Sequence, residues 1–135
     1  MKKIILRREN VLDVYISKLR SDKSGHYISK PLDSIRVDVD PAAFAAFIDY
    51  YDACYDFFEG CVADQDVHRV TYEQLVDGDA AIKAVLSFLG VDSSAAPPAL
   101  AVTVKQTARP LSEGIVNWPE LKAAFQYHPR MKSVL

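Results

Sequence analysis

The chain has 135 residues, of which 50% are hydrophobic and 25% are charged, so it has the composition of one globular domain that buries a core. A chain that is disordered along most of its length is therefore excluded. The formal net charge is −2 at pH 7, and no apolar run approaches the roughly 20 residues of a membrane span, so neither nucleic acid nor a membrane is an expected partner.

The charges are distributed unevenly along the sequence. Residues 1–30 hold eight Lys/Arg against three Asp/Glu, residues 31–101 hold three against thirteen, and residues 102–135 hold five against two. Two basic ends favour an anionic ligand near those ends over a nucleic-acid groove that covers the whole surface. Solvated faces of charged helices account for the same distribution equally well.

The two cysteines and the first residues indicate a reducing compartment. Cys54 and Cys61 are seven residues apart in a helical pattern, and two helical turns separate them by roughly 10 Å. That separation is beyond the reach of a disulfide, so we expect two reduced core cysteines, and no histidine at zinc-like spacing predicts a metal site. The apolar run at residues 4–6 ends at Arg7, too early for a secretory signal, which favours the cytoplasm.

The first half of the sequence predicts one strand and two helices. Residues 4–6 are a short apolar run typical of a buried parallel strand. Asn10 predicts a helix N-cap, with Asp13 in a capping-box-like position three residues later. We interpret residues 21–38 as a polar loop, and the Asp-Pro pair at residues 40–41 predicts the start of a second helix.

The second helix carries an aromatic and apolar stripe that continues to about residue 62. Such a stripe is more typical of a core or an interface than of a ligand site. Its members recur at helical spacing: Phe44, Phe47, Ile48, Tyr51, Tyr55 and Phe58.

The second half predicts a strand followed by helices. We expect residues 4–7 and 69–72 to form neighbouring parallel strands, joined by a right-handed crossover. Gly90 predicts the end of an amphipathic helix that starts at residue 80. The inward residues of that helix are predicted to be Ile82, Val85, Leu86 and Leu89. Other predicted features are a second strand at 68–72, a helical stub at 73–76, a linker at 93–98, and short helices at 111–117 and 119–127.

The turn after the first strand has the residues of an anion site. Arg7 and Arg8 follow the strand, and Asn10 then begins a helix. Ligands gather at the carboxyl ends of parallel strands, and a helix N-terminus offers N–H groups and partial positive charge. The planar guanidinium matches phosphate oxygens, and Ser17 adds a hydroxyl two turns along the same helix.

Three groups of segments resemble PAPS-dependent sulfotransferases of the bacterial type, and they lie in the same order along nearly the whole chain. The first resembles the segment that grips the donor's 3′-phosphate, the second the family's strand, "YE-x-L" turn and "FLGV" helix end, and the third its C-terminal part. They comprise residues 5–17, then 70–75 with 85–91, then 105–107 with 111–113 and 115–121.

The resemblance implies a fold, an activity and a nucleotide site. The expected fold is a helix-rich, three-layer, P-loop-like α/β domain with a short parallel sheet, present here as one partial domain over residues 1–135. The implied reaction transfers a sulfuryl group from PAPS to a hydroxyl or amine of a small molecule or glycan. Arg7 or Arg8, together with Ser17, would hold the 3′-phosphate of PAPS or adenosine 3′,5′-bisphosphate. The family often has arginine where this chain has Glu9.

The family's phosphosulfate-binding loop and catalytic base would lie upstream of these segments. No Gly-rich phosphate loop occurs in the sequence, so we interpret the chain as a C-terminal half that is inactive alone. The catalytic base is unassigned, because the three histidines have no visible partner in the sequence: His26, His68 and His128.

Two other hypotheses stay open. One is a non-enzymatic remnant of such an enzyme. The other is a helical interaction module built on the aromatic stripe, which requires that residues 4–6 and 68–72 do not pair as strands. An exposed edge of the first strand predicts a homo-oligomer or a separate N-terminal half as the partner.

Overall fold

The computed structural model describes residues 1–25, 34–92, 94, 110–132 and 134–135, and these form a helix-rich α/β chain with a two-stranded parallel sheet. In chain order the elements are β1 (Lys3–Arg7), α1 (Val11–Ser24), α2 (Pro41–Cys61), β2 (Val67–Thr71), α3 (Tyr72–Val76), α4 (Asp79–Leu89), α5 (Leu111–Gly114), α6 (Trp118–Phe125) and a 3-10 helix (Pro129–Met131). No helix in the described ranges has both the length and the apolar content for crossing a membrane.

The chain divides into two compact units. The first unit comprises Met1–Glu9 and Asp52–Leu100, and the second comprises Asn10–Tyr51 and Ala101–Leu135. Each unit is therefore assembled from two separate stretches of sequence. The β1–β2 sheet belongs to the first unit, whereas α1, α5 and α6 belong to the second.

In the first unit β1 and β2 pair in parallel, as the sequence predicts. The register places Lys3 beside Val67 and Arg7 beside Thr71. The backbone N–H of Lys3 donates to the carbonyl of Asp66 at 2.9 Å, which shows that the odd-numbered residues of β1 point their backbone groups at β2. This pairing contradicts the hypothesis of a helical module, because that hypothesis required the two segments to be unpaired.

The second unit contains the hydrophobic core. Phe44 is fully buried, with its ring centroid 5.2 Å from that of Tyr15 and 5.0 Å from that of Phe125. The stripe of α2 is thus core over residues 44–51, as predicted. Phe58 lies in the first unit and is 52% exposed, so it is not a core residue, and the interface alternative stays a prediction for this end of the stripe. The buried core residues are Val11, Leu12, Ile16, Val37, Val39, Phe44, Ile48, Ile115, Leu121, Phe125 and Met131.

Local capping explains where the helices begin and end. The side chain of Asn10 accepts a hydrogen bond from the backbone N–H of Asp13 at 3.0 Å, and that of Asp40 accepts from Ala42 at 3.0 Å. Gly90 ends α4 in the left-handed conformation, with φ of 80°. The predicted boundaries at these positions are confirmed.

Some predicted boundaries are wrong. Helix α1 continues to Ser24, because Gly25 supplies its left-handed C-cap, so residues 21–24 are not a loop. Val37 forms a parallel bridge with Ile115, and both side chains are buried. The bridge extends the backbone at Ile115, so α5 stops at Gly114 instead of continuing to residue 117.

Two residues expected in the core are exposed. Leu89 is the last residue of α4 and is 42% exposed, and no side chain of that helix is fully buried. Cys61 is the last residue of α2 and is also exposed, whereas Cys54 is half-buried; both cysteines are free thiols.

Two side chains form hydrogen bonds with loop backbone in the second unit. The Asn117 amide accepts from the backbone N–H of Val39 at 3.0 Å and donates to its carbonyl at 2.8 Å. The guanidinium of Arg20 is fully buried, and its Nε donates to the carbonyl of Ile35 at 2.9 Å. Gly114 lies against that guanidinium, where a β-carbon would be 2.0 Å from Nη2.

Candidate anion-binding site

Arg7, the last residue of β1, is held by the second half of α2. Its guanidinium forms an ion pair with the carboxylate of Asp52, and its Cζ lies 4.9 Å from the ring centroid of Tyr55. Asp52 and Tyr55 lie three residues apart on the helix, so both face the strand together. The charge of Arg7 is therefore compensated within the first unit.

Arg8 has a different environment. Its guanidinium Cζ lies 4.3 Å from the ring centroid of Tyr72, the first residue of α3. Tyr72 follows β2 directly, and β2 pairs with β1, so the parallel register brings this ring next to the end of β1. A cation over an aromatic face is attracted to it electrostatically, so this contact holds the Arg8 guanidinium beside Tyr72.

Glu73 makes a second contact between the same two segments. The backbone N–H of Glu9 donates to the Glu73 carboxylate at 3.1 Å. Helix α3 is itself fixed by a reciprocal capping box, in which the Thr71 side chain accepts from the Gln74 backbone at 3.1 Å and the Gln74 side chain accepts from the Thr71 backbone at 2.9 Å. The pattern Thr-x-x-Gln is the sequence signal for this box.

The surface beside Glu9 is acidic. A hollow of about 410 Å³ is lined by Glu9, Thr71, Glu73, Gln74, Val76 and Asp77. An anion at the backbone N–H of Glu9 would compete with the carboxylate that the N–H already binds, and it would lie near two further carboxylates. The geometry therefore favours the Arg8 guanidinium over this backbone amide as the group in the first unit that donates hydrogen bonds to an anion.

The predicted site residues belong to different units. Arg7 and Arg8 lie in the first unit, and Ser17 lies in the second, where it is half-buried on α1. The N-cap of α1, Asn10, also belongs to the second unit.

The described histidines have structural contacts. His68 stacks on Phe88, with ring centroids 5.3 Å apart. The Nδ1 atom of His128 accepts from the backbone N–H of Arg130 at 3.2 Å and caps the 3-10 helix. His26 and the predicted family segment at 105–107 lie outside the described residues.

The sequence interpretation missed three residues of this site. Tyr72 was part of a recognised segment, but its stacking on Arg8 depends on the strand register, which no local pattern supplies. For Asp52 and Tyr55 the sequence did contain a signal, because an acidic and an aromatic residue three positions apart lie on the same face of a helix. Among the described residues no cluster of three or more His, Cys, Asp or Glu is arranged to hold a metal ion.

Comparison of the chain with models of protein families, with curated proteins and with solved structures found no match in any of the three.

Proposed function

We propose that this chain is the C-terminal portion of a PAPS-dependent sulfotransferase and binds the 3′-phosphate of the donor nucleotide. One observation carries the proposal: two of the segments that resemble the family touch each other. Arg8 and Glu9 of the first contact Tyr72 and Glu73 of the second, although 64 residues separate the two positions in each pair. These contacts support a common site at the end of β1.

In this proposal Arg8 is the residue that donates hydrogen bonds to the 3′-phosphate. The planar guanidinium can bind two oxygens of one phosphate through its N–H groups, and its Cζ lies 4.3 Å from the Tyr72 ring centroid. Arg7 serves the site indirectly, because its ion pair with Asp52 fixes the end of β1. The resemblance also assigns a phosphate contact to Ser17, and we keep that contact as a separate proposal with a variant of its own.

The sulfuryl transfer itself needs more than this site. The S–O bond to the donor phosphate breaks while sulfur forms a new bond to the oxygen of an acceptor hydroxyl or to the nitrogen of an acceptor amine, which loses a proton. Preorganised hydrogen-bond donors must stabilise the charge on the leaving phosphate. A Gly-rich loop that would supply such donors does not occur in the sequence. We therefore propose that this chain supplies the 3′-phosphate side of the donor site and that another segment supplies the rest.

Calorimetric titration with adenosine 3′,5′-bisphosphate tests the role of Arg8. Removing a charge-assisted hydrogen bond costs about 1.5–3 kcal/mol, so Arg8→Ala should weaken binding at least about tenfold. Arg69→Ala is the matched control, because it removes an equal charge that is paired with Glu59 in the same unit. Equal losses in the two variants, or no loss in Arg8→Ala, would place the site elsewhere. Ser17→Ala tests the second contact in the same titration.

The acidic hollow favours a second candidate, a non-enzymatic remnant. The backbone amide of Glu9, which a phosphate would otherwise use, already donates to Glu73, and Glu9 and Asp77 line the same hollow. If the wild-type chain does not bind the bisphosphate even at millimolar concentration, either the remnant or a half that binds only when completed by its other half is the better description.

A further inference from the structure

The turn after β1 already binds an anionic group that belongs to the chain itself. The backbone N–H of Glu9 donates to Oε2 of Glu73 at 3.1 Å. A carboxylate oxygen therefore occupies the place where a phosphate oxygen would accept the same hydrogen bond. Hydrogen bonds from backbone amides to carboxylates belong to the stronger, charge-assisted class, so an incoming anion must displace this one.

The Glu73 carboxylate is not required for the helix that carries it. Helix α3 begins with the capping box between Thr71 and Gln74, and neither of its two hydrogen bonds involves the Glu73 side chain. The carbonyl of Glu73 accepts from the N–H of Asp77 at 3.1 Å, and a substitution of the side chain keeps this backbone bond. The carboxylate reaches instead to Glu9, 64 positions earlier in the sequence.

This contact lies next to Arg8. Arg8 and Glu9 are consecutive residues, and so are the residues that they contact, Tyr72 and Glu73. The guanidinium that is proposed to bind the 3′-phosphate and the occupied amide are therefore neighbours in one turn. Like charges about 4 Å apart repel each other even in water, and a phosphate monoester carries more than one negative charge. A carboxylate bound at this turn therefore opposes a phosphate at the same turn.

We propose that Glu73 is an internal competitor of the phosphate, and this competition rests on the proposed function because it concerns the same site. While the carboxylate accepts from the Glu9 N–H, a phosphate at Arg8 receives no hydrogen bond from this amide and lies near an added negative charge. When Glu73 moves away, the amide becomes a second donor to the phosphate that Arg8 binds. Glu73 thus sets the affinity of the site.

The alternative is that Glu73 only holds the turn in place, and the two roles predict opposite effects. A side chain that positions the site should lower the affinity for phosphate when it is removed, whereas a competitor should raise it. The structure favours the competitor, because the end of β1 is held by other contacts. The strand pairs with β2 up to Arg7, Arg7 forms an ion pair with Asp52, and Arg8 lies over Tyr72.

Titration of the ¹⁵N-labelled full chain with inorganic phosphate, followed by NMR, tests the proposal. Glu73→Ala should bind phosphate at least about tenfold more tightly than the wild type, since it frees an amide for a charge-assisted hydrogen bond and removes a like charge. The amide signal of Glu9 should shift at correspondingly lower phosphate concentration. Asp77→Ala is the matched control, because it removes an equal charge from the same hollow, and it should gain less than about threefold.

A lower affinity in Glu73→Ala would overturn the proposal and assign Glu73 a positioning role. Equal gains in Glu73→Ala and Asp77→Ala would also overturn it, because net charge would then explain both, and so would a Glu73→Ala chain that binds no phosphate at millimolar concentration. If circular dichroism shows that Glu73→Ala does not fold, Glu73→Gln replaces it. That variant keeps the size of the side chain and removes its charge, and it should gain at least about threefold.

The same variants separate this competition from the proposed nucleotide site. If Glu73→Ala gains affinity for phosphate but does not prefer adenosine 3′,5′-bisphosphate to adenosine 5′-monophosphate, the competition is supported and the proposed function fails. If Arg8→Ala loses affinity for the bisphosphate while Glu73→Ala gains none, the proposed function is supported and the competition is overturned.

Discussion

Three arginines show that side chains of one type acquire different roles from their neighbours. Arg7 is paired with Asp52, Arg8 stacks on Tyr72, and Arg20 is fully buried in the second unit. Burial of a guanidinium is unfavourable unless hydrogen bonds compensate for lost hydration, and the Ile35 carbonyl supplies one such bond. The pattern of charges along the sequence therefore did not distinguish an arginine that could bind an anion from an arginine with a structural role.

Gly114→Ala should destabilise the second unit. The new methyl group would lie 2.0 Å from Nη2 and 3.2 Å from Cζ of Arg20, whose buried, hydrogen-bonded side chain has little room to move. Overpacking of this kind costs about 1–3 kcal/mol in the free energy of unfolding. Gly60→Ala is the control, because a β-carbon there meets no atom within 4 Å. Thermal unfolding measures both variants, and equal midpoints would contradict the packing described for Arg20.

The Glu59–Arg69 ion pair should make stability depend on pH. Arg69 Nε donates to both carboxylate oxygens of Glu59, at 2.8 and 3.0 Å, and this hydrogen bonding lowers the pKa of Glu59. A pKa that is lower in the folded state gives stability above the unfolded pKa of about 4.3, and that stability is lost as the pH falls.

Glu59→Gln tests this dependence. The variant should be less stable than the wild type at pH 7, and the difference should shrink as the pH falls below about 4.3. Urea unfolding at pH 7, 5 and 3.5 measures it, with Asp64→Asn in the turn between α2 and β2 as the control. A difference that stays constant over this range would show that the carboxylate charge is not responsible.

At the scale of elements, local signals located most helices. Asn10, the Asp-Pro pair at 40–41 and Gly90 act through contacts within a few residues, so their effects were readable from the sequence. The bridge between Val37 and Ile115 joins residues 78 positions apart and was not predicted. The partners of Arg7 and Arg8 are also distant in the sequence. The sequence therefore predicted that the two strands pair in parallel, but it did not predict which residues contact these arginines.

Asn117→Ala should loosen the connection between α6 and the segment that precedes α2. The amide is both donor and acceptor for the backbone of Val39, a fully buried residue, so its loss leaves a buried N–H and C=O without this partner. Such losses cost about 1–3 kcal/mol in the free energy of unfolding. Gln126→Ala, at an exposed position after α6, is the control. Urea unfolding that gives equal stabilities for the two variants would contradict this role of Asn117.

For the whole molecule, the α/β class and the parallel sheet agree with the sequence prediction. The sulfotransferase activity and the PAPS site remain proposals, and self-association remains a prediction from the sequence, because they concern ligands and partners. They converge on one segment, residues 3–9, which presents a strand edge on one side and an arginine stacked on Tyr72 at its end. Because acidic residues line the hollow beside Glu9, the affinity of the chain for a phosphate decides between the sulfotransferase portion and the non-enzymatic remnant.

The central claim is that the chain recognises a 3′-phosphate through Arg8. The most direct test compares adenosine 3′,5′-bisphosphate with adenosine 5′-monophosphate by calorimetry on the wild-type chain and on Arg8→Ala. The account predicts that the bisphosphate binds the wild type at least about tenfold more tightly and that this preference disappears in the variant. Equal affinities for the two nucleotides, or a preference that survives in Arg8→Ala, would contradict it.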